Sequence, residues 1–421
     1  MLKAVILIGG PQKGTRFRPL SLDIPKPLFP IAGLPLVQHL IEACVANEGL
    51  SEILLIGFYP SAQIQPFANE MQQIYNVTIK YLQEFTALGT AGGLYHFRDQ
   101  IRFGNPEGFF LMNGDVCSDF PLKELYEFHK QKKALVTIMG TEATRHQSLN
   151  YGCIVTNRET NEMTHYVEKP SSYVSTLINC GVYVCSPDIF HTIGAVNNEL
   201  QERYRNGYMN GTREAGYIQL EQEILAPLAG TGQIFVLPVV NWWSQIKSAG
   251  SAIYANRHYL QLYKTKFPER LARSKGQGET CTIYPDVHVD PTAVIHPSAV
   301  LGPNVSVGPG ATVGAGTRLK ESIVLRDASI DDRSLVMHSI IGRGSHVGRW
   351  TRVEGTPSDP DPNKPFTKME NPPLFNKDGR LNPSITIVGC SVSVPSETIL
   401  LNSIVLPNKE LSRSIKNEII L

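Results

Sequence analysis

The sequence predicts a doubly wound α/β domain followed by a left-handed parallel β-helix. Short continuous apolar runs alternate with helical stretches through about the first 250 residues. From about residue 287 the apolar period becomes six. A length of 421 residues also exceeds what a single core serves. The reading divides the chain into an α/β domain at 1–255, a helical linker at 256–286 and a coil domain at 287–421, with a loop inserted at 356–383.

In the first half, "KAVILIG" (3–9), "EILLIGF" (52–58), "VTIKYLQ" (77–83) and "GFFLMNGDV" (108–116) are apolar runs bounded by turn residues. Such runs are expected of strands covered on both faces of a parallel sheet. Between the first two, "LPLVQHLIEACVA" (34–46) has the apolar spacing of a helix packed on that sheet. A βαβ pattern places ligands beyond the C-terminal strand ends, where Gly9-Gly10 and Asp115 fall.

In the second half, residues 293–328 cut into sixes put an aliphatic residue third in each unit: Ile295, Leu301, Val307, Val313, Leu319 and Leu325. Neither a helix nor a hairpin has that period. A left-handed β-helix does, each six-residue unit forming one side of a triangular coil. The pattern stops at residues 356–383, which hold seven prolines and cannot continue a coil. They are expected to project as a long loop, and loops of that length are usually functional or disordered. The flat faces and open ends of the coil suit self-association.

Composition narrows the function. A net charge of +1 argues against a broad nucleic-acid or anionic-membrane surface. No apolar run approaches the ~20 residues that span a bilayer, and "MLKAVILIGG" reads as a strand rather than a signal peptide. Seven cysteines without a CxxC pair suggest reduced, mostly buried thiols in a cytoplasmic protein, with neither a disulfide framework nor a zinc site.

The stretch "LIGGPQKGTRFRPLS" (7–21) runs from a strand into Gly9-Gly10, then to Arg16, with Lys26 following in "PKP". Backbone N–H groups after a strand, with cations beside them, suit a nucleoside di- or triphosphate. A Gly-Gly turn alone is more often only a turn; GG, GTR, RPL and PKP in one run are far more specific. That run resembles the signature of the sugar-phosphate nucleotidyltransferases. Among them it is most similar to the mannose-1-phosphate guanylyltransferases (GDP-mannose pyrophosphorylases), which also carry a C-terminal hexapeptide coil. The resemblance covers essentially the whole chain.

It implies roles for particular residues. In "QEFTALGTAGGLY" (83–95), Glu84, Leu88, Gly89, Thr90 and Ala91 would line base and ribose. Asn113 and Asp115 in "MNGDV" would meet the phosphates, Asp115 through Mg²⁺. Gly152, Glu168, Lys169 and Asn179 with Gly181 would serve the sugar phosphate. Without the family, 83–95 is a turn and a helix N-terminus, and Glu168-Lys169 a solvated turn.

The chain departs from the signature twice. Active members carry W-x-D-x-G late in the first domain; here the text is Trp243-Ser244-Gln245-Ile246-Lys247. In that family the sugar phosphate attacks the α-phosphorus of GTP, pyrophosphate leaves, and Mg²⁺ is the main stabiliser. Mg²⁺ is held by one or two carboxylates plus substrate phosphates. Losing one carboxylate removes about 3–5 kcal/mol of transition-state stabilisation, on the order of 10² to 10⁴ in rate. The opening loop also has three residues, Pro11-Gln12-Lys13, where the signature allows one. Each extra residue spans up to ~3.3–3.6 Å, whereas in-line transfer tolerates misplacement by about 1 Å poorly.

The resemblance therefore implies the regulatory branch of the family. GDP-mannose would bind Gly9, Gly10, Lys26 and the residues above, with Gln245 hydrogen-bonding the ligand. No cofactor would be required, and Mg²⁺ would be held weakly at most, on Asp115. A catalytic beta subunit would be the partner under feedback inhibition, and loop 356–383 its contact segment. Two alternatives stay open: an active guanylyltransferase in which Lys247 offsets charge beside Asp115, and a scaffold with a vestigial pocket.

Overall fold

The computed structural model describes residues 1–11, 15–205, 216–273, 281–370 and 372–421. They form two compact units, one of residues 1–13, 37–243 and 361–368, the other of residues 14–36, 244–360 and 369–421. This division follows packing and runs differently from the boundaries drawn on the sequence. The signature segment 14–36 goes with the second unit, and a short piece of the inserted loop goes with the first.

The first unit is built on a nine-stranded mixed sheet. Strands β1 (Leu2–Gly9), β2 (Leu50–Gly57), β3 (Thr78–Gln83) and β4 (Gly108–Asn113) are the four apolar runs, and they lie parallel in the order β3-β2-β1-β4. The expected helix is Leu36–Val45. One strand is shorter than expected. "GFFLMNGDV" leaves the sheet at Asn113, so Asp115 lies in the following turn, and Val116–Ser118 is a separate strand. The cause is Gly114, whose N–H donates to the Leu7 carbonyl at 2.8 Å and which has no room for a Cβ against that oxygen. There the chain crosses the end of β1.

Five more strands complete the sheet: β5 (Val136–Glu142), β6 (Gly152–Thr156), β7 (Met163–Glu168), β8 (Leu177–Cys185) and β9 (Ile234–Val239). Strand β8 runs antiparallel to β4 and β5, and its register with β5 breaks between Asn179 and Tyr183. The β6–β7 pair attaches beside it through Ile178 and Cys153. Val5, Leu54, Phe109, Leu111 and Tyr183 are fully enclosed in the core beneath.

The second unit contains the β-helix, three parallel faces of seven, seven and five strands. Inward positions stack in register as Val307, Val324, Ile341, Val388 and Val405. This corrects one expectation: the sixth hexapeptide is out of phase by one, and Val324 rather than Leu325 faces the coil core. Val300 pairs with Arg318, but Ser306 pairs with Ile323, because one residue is lost at the corner where Glu321 takes φ +47°. Leu325 is still only 3% exposed, buried outside the core cluster. The insertion at 356–383 leaves between paired strands, Ser339 pairing directly with Thr386, so the stack continues unbroken.

The expected linker at 256–286 opens with the end of one helix, Ala249–Lys266, that starts ahead of it, and closes with Thr282–Ile283, a strand already paired in the coil. Ser248 caps that helix reciprocally with Ser251. All seven cysteines are free thiols, and only Cys390 is more than marginally exposed.

Candidate functional site

At the end of β1, Gly9 sits at φ +68°, a conformation costly for other residues. A Cβ on Gly10 would lie 2.5 Å from the Cβ of Phe58, whose N–H donates to the Gly9 carbonyl at 2.7 Å. Backbone conformation at Gly9 and packing at Gly10 therefore demand the two glycines without any ligand. Gln12 and Lys13 of the lengthened loop lie outside the described residues.

The segment resembling the family's nucleotide strip is clamped from behind. The Glu84 N–H donates to Gly57 at 2.8 Å, and the Glu84 carboxylate lies over Gly93, where a Cβ would meet it at 2.2 Å. Helix Gly89–His96 begins at a glycine with φ +72°. Ile218 gives its N–H to the Leu88 carbonyl at 2.8 Å. Its own carbonyl accepts from Ala91 and Gly92 at 3.0 and 3.2 Å. Two of the amides that a helix N-terminus could offer an anion are thus already used. Thr90 accepts from the Leu220 N–H at 2.8 Å and donates to Glu221 at 3.4 Å.

A polar shell joins this strip to the sugar-phosphate segment. The Tyr166 hydroxyl donates to Glu168 at 2.9 Å, and the other Glu168 oxygen pairs with Lys169 at 2.9 Å. Asn179 spends its amide N–H groups on the hydroxyls of Tyr166 (3.2 Å) and Tyr183 (2.8 Å), and its oxygen accepts the Gly181 N–H at 2.9 Å. It has one oxygen lone pair left for a ligand. Gly152 is required because a Cβ would strike the Tyr166 hydroxyl at 2.0 Å. Gly181, at φ +70°, leaves room for Asn113, whose amide nitrogen would be 2.5 Å from a Cβ there.

Electrostatics reinforce the enclosure. Burial first, then the Glu168 charge, hold Glu221 above the usual carboxylate range, while Thr90 and Lys169 pull it back. Burial and the same Glu168 charge push Tyr166 well above the ordinary phenol value. The structure therefore brings Thr90, Gly152, Glu168, Lys169 and Asn179 together, with Asn113 at the Gly181 bend. The residues that join them, Tyr166, Tyr183, Ile218 and Glu221, were not picked out from sequence. The available signal was an acid inside the apolar run "IQLEQEIL" and tyrosines within "HYVEKP" and "CGVYV". Carboxylate acceptors beside an exposed lysine suit a polyhydroxylated ligand that carries phosphate.

Cys180 points to the opposite face of β8 from Asn179. Its carbonyl accepts from the Trp243 indole at 3.0 Å, and the Tyr151 ring meets Trp243 edge-on at 5.4 Å. Lys368 of the inserted loop enters here. Its ammonium is 3.2 Å from the Thr141 hydroxyl and 5.9 Å over the Trp243 ring. Its backbone is gripped by Gln147, which accepts the Lys368 N–H at 3.0 Å and donates to its carbonyl at 2.6 Å. Lys368 is 7% exposed, and burial depresses its pKa. Lys368 thus does not project; it is tied to the first unit.

Lys26 and Gln245 belong to the second unit, in the turn Lys26–Leu28 and at the end of strand Trp243–Gln245, both half-buried. Asp115 is half-buried in the turn after β4. A Mg²⁺ site of the family's type needs a carboxylate where this chain has the neutral amide of Gln245. Among the described residues, no three His, Cys, Asp or Glu side chains come together as metal ligands. Of the two carboxylates that the resemblance assigns to the metal, this chain keeps Asp115 alone.

Both halves match known families. Residues 3–214 match the nucleotidyl transferase model, and residues 283–421 match the model of the GMPPB C-terminal domain. The chain is 65% identical to the mannose-1-phosphate guanylyltransferase regulatory subunit alpha of Drosophila melanogaster. It is 58% identical to regulatory subunit alpha-B of Danio rerio and 56% to regulatory subunit alpha of Papio anubis. Each match covers 100% of both chains. The chain belongs to the nucleotidyl transferase family and, within it, to the mannose-1-phosphate guanylyltransferase alpha group.

Proposed function

We propose that this protein is a non-catalytic regulatory subunit that binds GDP-mannose and, when occupied, inhibits a catalytic mannose-1-phosphate guanylyltransferase beta subunit. The observation that carries this reading is Gln245, two residues after the anchored Trp243, at the position of the family's second metal-binding carboxylate. A carboxylate there repels a diphosphate unless a cation bridges them; an amide does not, and it can donate to the ligand. Product can then be held without the metal that its synthesis requires.

The motif residues supply the remaining contacts. Leu88, Gly89 and Thr90 line the base and ribose, with Glu84 behind them; Glu168 takes sugar hydroxyls and Lys169 a phosphate. Gly9, Gly10 and Lys26 lie on the phosphate side. The full-length relatives named as regulatory subunits support the role. The free thiols favour a reducing, cytoplasmic setting. Among the described residues no helix is long and apolar enough to cross a membrane. The coil faces supply self-association, and the remainder of the inserted loop, with Phe375 exposed, meets the catalytic partner.

The test uses purified chain with GTP, mannose 1-phosphate and Mg²⁺. Pyrophosphate should stay at background, and adding the chain to the catalytic subunit should make that subunit's rate fall as GDP-mannose rises. Turnover by the isolated chain on the order of one per second or faster would overturn the reading. Deleting residues 356–383 is expected to relieve inhibition and to preserve GDP-mannose binding.

A further inference from the structure

The outside of the β-helix carries an apolar ladder that a solvated coil has no reason to carry. Ile323, Ile340, Ile387, Ile404 and Ile419 pair in register along one face. Each precedes an inward residue of the coil, so alternation points it outward. Helix Ala249–Lys266 covers one end of the ladder, packing on strands Val305–Val307 and Ser339–Ile341, with the Ser306 hydroxyl donating to Asn256 at 2.8 Å. At the other end, Ile387, Ile404 and Ile419 are not covered that way. They form the floor of a cavity of about 480 Å³ that lies wholly within the second unit. That volume is in the range of small-molecule sites.

The walls are chemically sorted. Ile253 from the helix and Met369 and Leu374 from the inserted loop extend the apolar floor. Arg257 lies in the wall but is more than neutralised, with Glu321 and Asp359 each 3.1 Å from its guanidinium. The remaining charged lining residues are Arg16, Arg18 and Glu370. Arg16 and Arg18 are exposed and hold no ion pair among the described residues, so the rim they form with Glu370 carries a surplus of one cation. His338 also lines the space. Its Nδ1 is buried without a hydrogen-bond partner, and burial keeps the ring neutral. An unpaired buried nitrogen is costly unless something meets it.

We infer that this cavity is a second ligand site, for a single-chain amphipathic anion whose hydrocarbon lies along Ile387, Ile404 and Ile419 and whose phosphate or carboxylate head is held by Arg16 and Arg18. The head carries the charge that complements the rim, and the His338 nitrogen is the polar contact inside. The inference does not rest on GDP-mannose binding, although Arg16 also stands in the signature run read above for a nucleotide phosphate. Because the inserted loop forms part of the wall, the ligand also contacts Met369 and Leu374.

The test is calorimetric titration of the full chain with monomeric dodecyl phosphate, with inorganic phosphate and dodecyl maltoside as head-only and tail-only controls. Dodecyl phosphate should bind at one site at least tenfold more tightly than either control. Arg18→Gln and the exposed-loop variant Leu374→Glu should each weaken it about tenfold, without lowering the unfolding midpoint. Equal binding of dodecyl maltoside, or unchanged affinity in both variants, overturns the proposal. So does sedimentation with phosphatidic acid vesicles in the absence of monomer binding, which would make this face a membrane or partner surface.

Discussion

Asn179 in the first unit and Val388 in the coil mark two ways of holding a chain. Asn179 commits its amide to three partners, Tyr166, Tyr183 and Gly181, and each of those belongs to a different part of the polar shell. Val388 has a β-branched aliphatic neighbour above and below, Ile341 and Val405, in the same register. The shell is specific and irreplaceable at single atoms; the coil is redundant and stabilised by repetition. Chemistry therefore concentrates in the first unit, and the coil tolerates an insertion of the length of 356–383 without losing register.

The largest effect should come from breaking the coil's apolar stack. Val324→Asp places an unpaired charge among inward residues and is expected to cost ~4 kcal/mol or more in denaturant unfolding. Leu325→Asp, which lines a cavity outside the coil, should cost clearly less. The reverse order would restore the unbroken six-residue phase.

Next is an acid response in the first unit. His129 is buried on helix Leu122–Lys132 with Nδ1 2.9 Å from the Thr137 hydroxyl, and burial lowers its pKa to about 4. The unfolded chain, titrating near 6.5, binds the proton more readily. Its contribution is therefore present above pH 6.5 and is lost as pH falls toward 4, about 3 kcal/mol in all. His129→Gln should flatten stability across that window; an unchanged pH profile contradicts the assignment.

A smaller change tests the shell. Asn179→Ala leaves the hydroxyls of Tyr166 and Tyr183 short of a partner and should cost ~2 kcal/mol of GDP-mannose binding, about thirtyfold in affinity. Unchanged affinity would show that Asn179 shapes nothing the ligand touches. The smallest expected effect is at the loop tether. Gln147→Ala removes both bonds to the Lys368 backbone, about 1 kcal/mol, and should speed tryptic cleavage after Lys368 several-fold. If cleavage is no faster, the loop is held by something other than Gln147.

These contrasts explain what could be read in advance. The four apolar runs and the six-residue period were legible because each repeats one physical requirement, burial on a strand. Leu325 misled because aliphatic residues stand at both 324 and 325, and only the corner at Glu321 decides between them. Thr90, Glu168 and Asn179 were legible through motif resemblance. Their partners were not, because contacts such as Thr90 to Leu220 join residues 130 positions apart. The place of 14–36 in the second unit and the burial of Lys368 likewise depend on packing that no local pattern encodes.

The central claim is product binding freed from metal. The direct measurement is calorimetric titration of GDP-mannose into the full chain in Mg²⁺, repeated in excess chelator. Affinity should agree within about twofold between the two conditions, and Gln245→Asp should make binding dependent on Mg²⁺. Wild-type binding that vanishes when Mg²⁺ is removed would contradict the account.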